Sequence, residues 1–346
     1  MAKRRLLVTG GAGFIGSNFV SYMAEHYPDD YIVVLDALTY AGTMDNLPTE
    51  MRLFDHPRFR FWYGNVMNAE LVDTLVAEAD VVVHFAAESH VTRSIFDNLL
   101  FYQTDVIGTQ TIANAILKAG KKIDRFIHIS TSEVYGTAEA EAMNERHPLN
   151  PMSPYASAKC GADRLVYSYW ATYKIPATII RPFNNYGPRQ HLEKVVPRFI
   201  TSALLNEPLR VHGDGSAARD FVYVEDVCRA IDMIINAPDE KVVGEVFNVA
   251  SGQHRSILDI AEDVVAAAAY DPDQIKFVGD RPGQVVRHTG DWTKLNRVLG
   301  WEPKVSWQEG LARTIAWYRE NKDVWQKQLW MREIPIITAS GKQEYH

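Results

Sequence analysis

The chain has 346 residues, 47% hydrophobic and 23% charged, a globular balance that excludes a disordered tail or a fibre. Lysine and arginine total 36 against 43 aspartate and glutamate, a net charge of -7, which argues against binding to nucleic acid or an anionic membrane. Two cysteines, Cys160 and Cys228, are too few for a disulfide framework or a cysteine-rich zinc site, and no apolar run is long enough for a membrane helix. We therefore expect a cytoplasmic protein of one large or two unequal domains.

The first half of the chain alternates between short apolar runs and helical patterns. Strands are predicted at 5–8, 31–35, 58–63, 81–84, 126–130 and 177–181, with helices at 15–26, 69–77, 99–118 and 155–173. Apolar strands separated by helices favour a parallel sheet covered on both faces. Residues 1–185 are therefore predicted to form an α/β domain with the doubly wound Rossmann fold.

The pattern changes after residue 185, where the strands become shorter and more scattered. Strands are predicted at 209–211, 221–224, 246–249 and 275–278, and helices at 195–205, 227–236, 257–269 and 307–321. This pattern predicts a smaller α/β lobe over residues 186–330, and residues 331–346 are interpreted as a surface arm.

A glycine-rich turn follows the first predicted strand and opens the first predicted helix. Gly10 allows the tight turn, Gly13 lets backbone N–H groups approach a pyrophosphate, and Gly16 allows close packing of helix and strand. Asp36 ends the next strand 20 residues after Gly16, where its carboxylate can accept hydrogen bonds from a ribose and repel a 2′-phosphate. Together they predict a dinucleotide site that prefers NAD to NADP.

A second motif places Tyr155 and Lys159 four residues apart on a predicted helix, and therefore on one face of it. Lys159 can hold a nicotinamide ribose and lower the pKa of Tyr155, so that the phenolate becomes a base near neutral pH. Thr131, at the end of the preceding strand, can hydrogen-bond a substrate hydroxyl shared with Tyr155. The alternative for an isolated Tyr–Lys pair is an ordinary amphipathic helix.

With these motifs in order, the sequence resembles an extended short-chain dehydrogenase/reductase up to about residue 320. Within that family it is most similar to the nucleotide-diphosphate-sugar 4,6-dehydratases. The segments that carry the similarity are residues 36–42, 86–91, 93–95, 103–104, 184–188, 193–194, 213–215 and 280–283.

The resemblance implies a tightly bound NAD that takes hydride from sugar C4 and is regenerated in each turnover. The implied cofactor-binding residues are Gly10, Gly13, Phe14, Ile15, Gly16, Asp36, Asn65, Val66, Ala86, Ala87, Ser89, Tyr155 and Lys159. Asn65-Val66 stands where the dehydratases usually carry Asp-Ile to hold the adenine, and an amide can still bind adenine. The family also implies a homodimer, paired through helices 99–118 and 155–173 as a four-helix bundle.

Glu133 decides which chemistry follows the oxidation of C4. A carboxylate beside Thr131 could remove the acidified C5 proton of a 4-keto sugar while the C6 hydroxyl leaves as water. Thymidine-linked dehydratases resemble this site but carry an Asp–Glu pair, whereas this chain has Ser132 before Glu133. Since a serine hydroxyl is too weak an acid to protonate a leaving group, Glu133 would do both jobs. The alternative for Glu133 is a solvated loop acid.

The second lobe supplies candidate groups for the substrate diphosphate. By resemblance Arg219 and Arg287 reach the phosphates, because a guanidinium meets phosphate oxygens in pairs, and Asn184 assists. Surface ion pairs are the alternative for both arginines, and a solvated helix start is the alternative for Lys194. Thr92 replaces a family aspartate, which suggests a differently shaped sugar pocket.

The sequence thus predicts a nucleotide-sugar 4,6-dehydratase whose partner is a nucleotide-diphosphate sugar. A UDP-glucuronate decarboxylase, which also carries Thr-Ser-Glu, and a nucleotide-sugar 4-epimerase remain as enzymatic alternatives. An NAD-binding scaffold or redox sensor without catalysis is the alternative from another class. No histidine pair has metal-ligand spacing with carboxylates nearby, so no metal site is expected.

Overall fold

The computed structural model describes residues 4–52, 56–119, 123–279 and 287–332, and the backbone of 335–337 and 343–345. Its strands are β1 (Arg5–Thr9), β2 (Tyr31–Asp36), β3 (Phe59–Tyr63), β4 (Val81–His84), β5 (Arg125–Ile129), β6 (Ala177–Pro182), β7 (Asn184–Tyr186), β8 (Leu209–His212), β9 (Ala218–Tyr223), β10 (Val246–Val249), β11 (His254–Ser256), β12 (Ile275–Val278), β13 (Arg287–His288), β14 (Pro335–Ile337) and β15 (Gln343–Tyr345). Its α-helices are α1 (Phe14–His26), α2 (Ala69–Ala77), α3 (Val91–Phe96), α4 (Leu99–Phe101), α5 (Gly108–Lys118), α6 (Pro154–Tyr173), α7 (Val195–Leu204), α8 (Val224–Ile235), α9 (Asp239–Val242), α10 (Ile257–Ala268), α11 (Thr293–Leu299), α12 (Trp307–Glu320) and α13 (Lys322–Trp325).

A seven-stranded parallel sheet in the order β10-β6-β5-β4-β1-β2-β3 forms the centre of the larger part of the molecule. The chain leaves β1 toward β2 and β3 on one side, then crosses to β4, β5 and β6 on the other. This reversal beside β1 opens a crevice at the carboxyl ends of the strands, the position where doubly wound folds bind ligands. The Rossmann fold predicted from the sequence is confirmed.

Successive residues of β1 pack on opposite faces of this sheet. Leu6 and Val8 join a core with residues of α1 and α8, whereas Leu7 joins a second core with residues of α2, α5 and α6. Both faces of β1 are therefore apolar, which is why the sequence shows a continuous apolar run instead of an alternating one.

The smaller part is built on short strands and an aromatic core. Strand β9 pairs with β7, β11 and β13, while β8 pairs with β12. Tyr186, Phe221, Trp307 and Tyr318 belong to its core, which α7, α10 and α12 help to enclose. It packs over the open ends of the large sheet, and the two parts share one cavity.

Two differences between the fold and the sequence prediction concern β10 and the helix predicted at 99–118. Strand β10, which the prediction gave to the smaller lobe, is the edge strand of the large sheet and pairs with β6. The predicted helix 99–118 is interrupted, because residues Tyr102–Ile107 form a π-helix between α4 and α5. In the predicted C-terminal arm, β14 pairs antiparallel with β15, and the remainder beyond residue 332 lies outside the described residues.

Candidate active site

A cavity of about 520 Å³ lies at the carboxyl ends of the central strands. Its wall includes Gly10 after β1, Asp36 at the end of β2, Ala86 after β4, Thr131 after β5 and Asn184 after β6. Residues far apart in sequence meet here because the ends of parallel strands share one edge of the sheet.

The glycine turn is confined by backbone on two sides. Gly10 has a φ of +69°, and a Cβ on it would lie 2.5 Å from the nitrogen of Ala86. A Cβ on Gly16 would lie 2.3 Å from the carbonyl oxygen of Gly10. Gly13 is the N-cap of α1, and no side chain caps the first N–H groups of that helix. Those donors, with the positive end of the helix dipole, suit a phosphate.

Asp36 ties the second strand to the glycine turn. Its Oδ2 accepts the N–H of Ala12 at 2.9 Å, and its Oδ1 accepts the N–H of Leu38 at 2.8 Å. Burial raises the pKa of this carboxyl, and the two N–H donors act in the opposite direction. Each oxygen keeps a second lone pair, so the carboxylate is held in place with acceptor capacity for a ribose diol.

The other predicted cofactor residues line the same cavity. They are Phe14, Ile15, Asn65, Val66, Ala87 and Ser89. The site fits a dinucleotide without a 2′-phosphate. The free helix N–H groups and the glycine turn suit the pyrophosphate, and the anchored carboxylate suits an unphosphorylated ribose. Among the described residues, no group of three or more His, Cys, Asp or Glu side chains is arranged to hold a metal ion.

The predicted catalytic residues converge from two elements. Thr131 is the N-cap of a short 3₁₀-helix, Ser132–Tyr135, and its Oγ1 accepts the N–H of Glu133 at 3.2 Å. Helix α6 begins after the N-cap Ser153, which places Tyr155 in its first turn and Lys159 one turn later. Thr131, Ser132, Glu133, Tyr155 and Lys159 all line the cavity.

The electrostatics at Tyr155 differ from the sequence prediction. Burial raises the pKa of Tyr155, the hydrogen bond with Thr131 lowers it, and the charges of Asp105 and Glu133 raise it further. The prediction that Lys159 brings this pKa down toward neutrality is therefore wrong for the protein without cofactor or substrate. The physical reason is that a buried phenolate loses its hydration and faces two carboxylates. Lys159 donates from Nζ to the carbonyl oxygen of Ile129 at 2.7 Å.

The predicted diphosphate-binding residues fall into two groups. Asn184, Lys194 and Arg219 line the cavity. Lys194 is more than a solvated helix start, because its Nζ donates to the carbonyl oxygen of Ser89 at 3.0 Å.

Arg287 is not among the side chains that line the cavity. Its Nη2 donates to the carbonyl oxygen of Ala140 at 3.4 Å. In the β13–β9 register Arg287 lies opposite Ala218, and Arg219 lies opposite His288. Since adjacent residues of a strand point to opposite faces, Arg287 and Arg219 lie on opposite faces of this pair. Residues 280–283, part of the motif that suggested Arg287, lie outside the described residues.

The cavity also contains a buried carboxylate, Glu193, to which sequence reasoning gave no role. Glu193 lies 3.2 Å from His90 and 3.4 Å from Lys194, and it accepts the hydroxyl of Tyr40 at 3.4 Å. Burial raises the pKa of Glu193, but Lys194, His191 and His90 outweigh it and lower the pKa to about 2. Motif similarity marked these positions, but only the fold brings them together.

Strand order, glycine turn and the Tyr–Lys helix together define a short-chain dehydrogenase/reductase of the extended type. The family model described as GDP-mannose 4,6 dehydratase matches residues 7–314, and the chain belongs to that family.

Two curated relatives match nearly the whole chain. The low-salt glycan biosynthesis protein Agl12 of Haloferax volcanii is 50% identical over 313 residues, covering 90% of this chain and 98% of that protein. The dTDP-glucose 4,6-dehydratase of Mycobacterium tuberculosis is 42% identical over 344 residues, covering 98% of this chain and 99% of that protein.

A solved structure agrees with these matches. It is the dTDP-glucose 4,6-dehydratase DesIV of Streptomyces venezuelae with NAD and TYD bound. It superposes with a TM-score of 0.87 at 41% identity and covers 94% of this chain and 99% of that one.

Proposed function

We propose that this protein is an NAD-dependent nucleotide-diphosphate-sugar 4,6-dehydratase, which converts its substrate to a 4-keto-6-deoxy sugar nucleotide with loss of water. The observation that carries the proposal is that Thr131, Glu133, Tyr155 and Lys159 line the same cavity as the glycine turn. The dehydratases among the similar proteins support the same reading.

Bound NAD would accept the hydride from sugar C4 and return it to C6, so that it is regenerated in each turnover. The uncapped start of α1 would bind its pyrophosphate and Asp36 its adenosine ribose. Asn65 and Val66 would border the adenine, and Ala86, Ala87 and Ser89 the remaining wall.

Tyr155 takes the proton from the C4 hydroxyl in this proposal. Its raised pKa makes the phenol a poor base in the protein alone, so the positive nicotinamide ring of bound NAD would have to favour the phenolate. Lys159, one turn along α6, would hold the nicotinamide ribose. Thr131 shares the C4 oxygen with Tyr155 and orients it.

Glu133 carries out the elimination. Its half-buried carboxylate removes the C5 proton and passes it to the departing C6 hydroxyl, so that one water leaves. When the hydride is returned to C6, C5 regains a proton, and the proton that Tyr155 took from the C4 hydroxyl balances it. Ser132, which is 1% exposed, contributes a hydroxyl for hydrogen bonding but no usable acid.

Three residues of the cavity wall suit the substrate diphosphate. Arg219 and Lys194 bring positive charge, and Asn184 brings an amide. A role for Arg287 in this site would require its side chain to turn from the face on which it lies.

One experiment separates the dehydratase from its rivals. The purified protein is incubated with UDP-glucose, dTDP-glucose, GDP-mannose and UDP-glucuronate, and the products are analysed by mass spectrometry. Loss of one water from a hexose substrate supports dehydration. Loss of carbon dioxide from UDP-glucuronate would indicate a decarboxylase, and an isomer of unchanged mass would indicate an epimerase. Absence of product with every sugar would indicate an NAD-binding scaffold without catalysis.

We further propose a homodimer formed through the helical region of 99–118 and 155–173. Four large side chains of this region are exposed, namely Leu99 (61%), Ile107 (48%), Tyr167 (43%) and Tyr173 (56%), and a dimer would cover them. Sedimentation equilibrium of the wild type and of Ile107→Glu tests this. A wild-type dimer that the charge converts to monomer supports the bundle, and a wild-type monomer contradicts it.

The proposal has two further parts. The protein is located in the cytoplasm, and the smaller lobe closes over the cofactor-binding lobe when the substrate binds. Both cysteines are free thiols, as in proteins of a reducing compartment. No helix in the described ranges combines the length and apolar character that a membrane crossing demands. Fractionation of cells tests the location, and small-angle scattering with and without a nucleotide sugar tests the closure.

A further inference from the structure

Asn18 is a polar side chain of α1 for which the proposed mechanism has no use. It lies one turn after Phe14, the first residue of this helix and part of the cavity wall. Its Nδ2 donates to the carbonyl oxygens of Phe14 at 2.8 Å and of Pro188 at 3.0 Å, and its Oδ1 accepts from Nη1 of Arg189 at 3.2 Å. Both donor hydrogens and the oxygen of the amide therefore have partners. One side chain links the start of the helix to a turn 170 residues later in the chain.

The turn that Asn18 binds has a strained backbone at Arg189. This residue has a φ of +69°, in the left-handed region that a residue with a Cβ rarely adopts. Such a conformation persists only where the surrounding contacts hold it. Among the described residues no carboxylate forms an ion pair with Arg189, and its guanidinium donates to the neutral amide of Asn18. Asn18 is therefore one of the contacts that hold the turn.

The turn lies in the middle of a segment, residues 184–194, that supplies much of the substrate side of the cavity. Six of its residues line the cavity, namely Asn184, Asn185, Gln190, His191, Glu193 and Lys194. Across the turn, Nε2 of Gln190 donates to the carbonyl oxygen of Asn185 at 2.8 Å. The segment is attached to the cofactor-binding lobe at two places, by Lys194 to Ser89 at its end and by Asn18 at its turn.

The other end of α1 is held independently of this turn. Tyr22 in the helix and Tyr27 just after it donate to the two carboxylate oxygens of Asp232 in α8, at 3.3 and 2.7 Å. Loss of the Asn18 amide should therefore leave the helix in place and loosen the turn. The backbone N–H groups at the start of α1, which suit a phosphate, belong to the part that stays.

We propose that Asn18 is a positioning residue of the active site, which fixes the turn at 187–189 against the cofactor-binding helix and so sets where segment 184–194 stands relative to bound NAD. It would act through the turn. The link between helix and turn holds for any role of the cavity, and its meaning for hydride transfer rests on the function proposed above. Hydride transfer needs the reacting atoms about 3–3.5 Å apart, so that a shift of about 1 Å is enough to slow it.

Amide hydrogen exchange of the protein alone, followed by mass spectrometry, tests the link without substrate or turnover. Asn18→Ala should speed exchange in peptides that cover 184–194 by about tenfold, while peptides that cover 19–26 of the helix exchange as in the wild type. Ser21→Ala is the matched control on the same helix, because the Ser21 hydroxyl donates to the carbonyl oxygen of Ser17 within α1.

Unchanged exchange of 184–194 in N18A would overturn the proposal. An equal increase over 19–26 would also overturn it, because the helix instead of the turn would then have moved. Faster exchange of 184–194 in S21A as well would show that any change in α1 loosens this segment, which contradicts a specific role for Asn18.

A second measurement separates positioning from stability. With the sugar nucleotide that the mass-spectrometric panel identifies, N18A should form NADH about 10- to 100-fold more slowly in a single turnover. Its affinity for NAD, measured by isothermal titration, should stay within about twofold, because the helix N–H groups are unchanged. A lower melting temperature with a normal rate of NADH formation would indicate a merely structural role and refute the positioning role.

Variants of Arg189 test the same link from the turn, and they decide if N18A does not fold. Lysine and leucine strain the left-handed backbone alike, but only lysine keeps a donor for Asn18. Arg189→Lys should therefore exchange like the wild type over 184–194, and Arg189→Leu should exchange faster. Identical exchange in the two variants would overturn the link. A panel without any product would refute the proposed function and leave these exchange rates as they stand, so the two proposals fail separately.

Discussion

Arg181 and Asp163 form a two-pronged ion pair inside the protein, with Asp163 one turn along α6 from Lys159. Arg181 donates from Nε to Oδ2 at 2.8 Å and from Nη2 to Oδ1 at 2.9 Å. Ser130, one residue before Thr131, donates from Oγ to the same Oδ2 at 2.7 Å. The pair thus links β6, α6 and the turn that carries Thr131 and Glu133.

Arg181→Leu should destabilise the protein by about 3–5 kcal/mol, because it leaves the Asp163 carboxylate buried without its main counter-charge. Urea denaturation measures the free energy of unfolding. Arg313→Ala, which breaks exposed pairs with Glu225 and Glu309, is the control and should cost about 1 kcal/mol or less. Equal losses in the two variants would contradict the importance of the buried pair.

Glu193 should make the protein sensitive to acid. Its pKa of about 2 in the folded protein lies below the ordinary value of 4.5, so its contribution to stability is present above pH 4.5 and is lost as the pH falls toward 2. The wild type should exceed Glu193→Gln in unfolding free energy by about 3 kcal/mol at pH 6, and the difference should shrink steadily below pH 4.5. Urea denaturation across this pH range checks it. A difference that does not change with pH would mean that Glu193 is not ionised in the folded protein.

Gly16→Ala should abolish NAD binding, because the added methyl group would lie 2.3 Å from the Gly10 carbonyl oxygen and neither backbone can yield. Gly279→Ala is the matched control, since a Cβ there meets no atom of the described residues within 4 Å. Isothermal titration with NAD and thermal denaturation follow both variants. Normal NAD binding by G16A would show that the turn can widen, against the packing described here.

Asp36→Asn should weaken NAD binding by about 1.5–3 kcal/mol, the value of a hydrogen bond to a charged acceptor. The amide also places a donor against the N–H groups of Ala12 or Leu38, which the carboxylate now satisfies. Preference for NAD over NADP should fall in the same titrations, because the charge that repels a 2′-phosphate is gone. Asp73→Asn, at an exposed surface pair, should leave both affinities unchanged.

Glu133→Gln and Ser132→Ala should separate two roles in the elimination. E133Q should stop water loss, a fall of about 100-fold or more, while reduction of NAD by the sugar continues. S132A should lose only the few-fold that one neutral hydrogen bond is worth. Product mass and NADH absorbance report the two steps. Water loss at the normal rate in E133Q would refute the role of Glu133, and a complete loss in S132A would make Ser132 the acid.

Local sequence patterns were sufficient to predict those features of the fold and site that depend on residues close together in the chain. The apolar run at β1, the glycine turn, Asp36 at the end of β2 and the four-residue spacing of Tyr155 and Lys159 all lie where they were predicted. Each depends on backbone period or on a turn, both of which act over a few residues.

The remaining features depend on contacts between distant parts of the chain. The face on which Arg287 lies follows from its register against β9, and the raised pKa of Tyr155 follows from burial beside Asp105 and Glu133. Residues 102–107 contain no glycine or proline to mark the π-helical turn, so the local sequence predicts one continuous helix at 99–118.

Strand β10 has a consequence for the order in which the protein can form. The first six strands of the central sheet have been synthesised once the chain reaches residue 182. The β6 edge nevertheless stays open until residues 246–249 have been made. Until then β6, whose residues are all buried in the finished protein, exposes unpaired backbone groups and apolar side chains. The nascent chain thus carries an aggregation-prone edge for more than sixty residues of synthesis, and the cofactor half of the protein is completed by its substrate half.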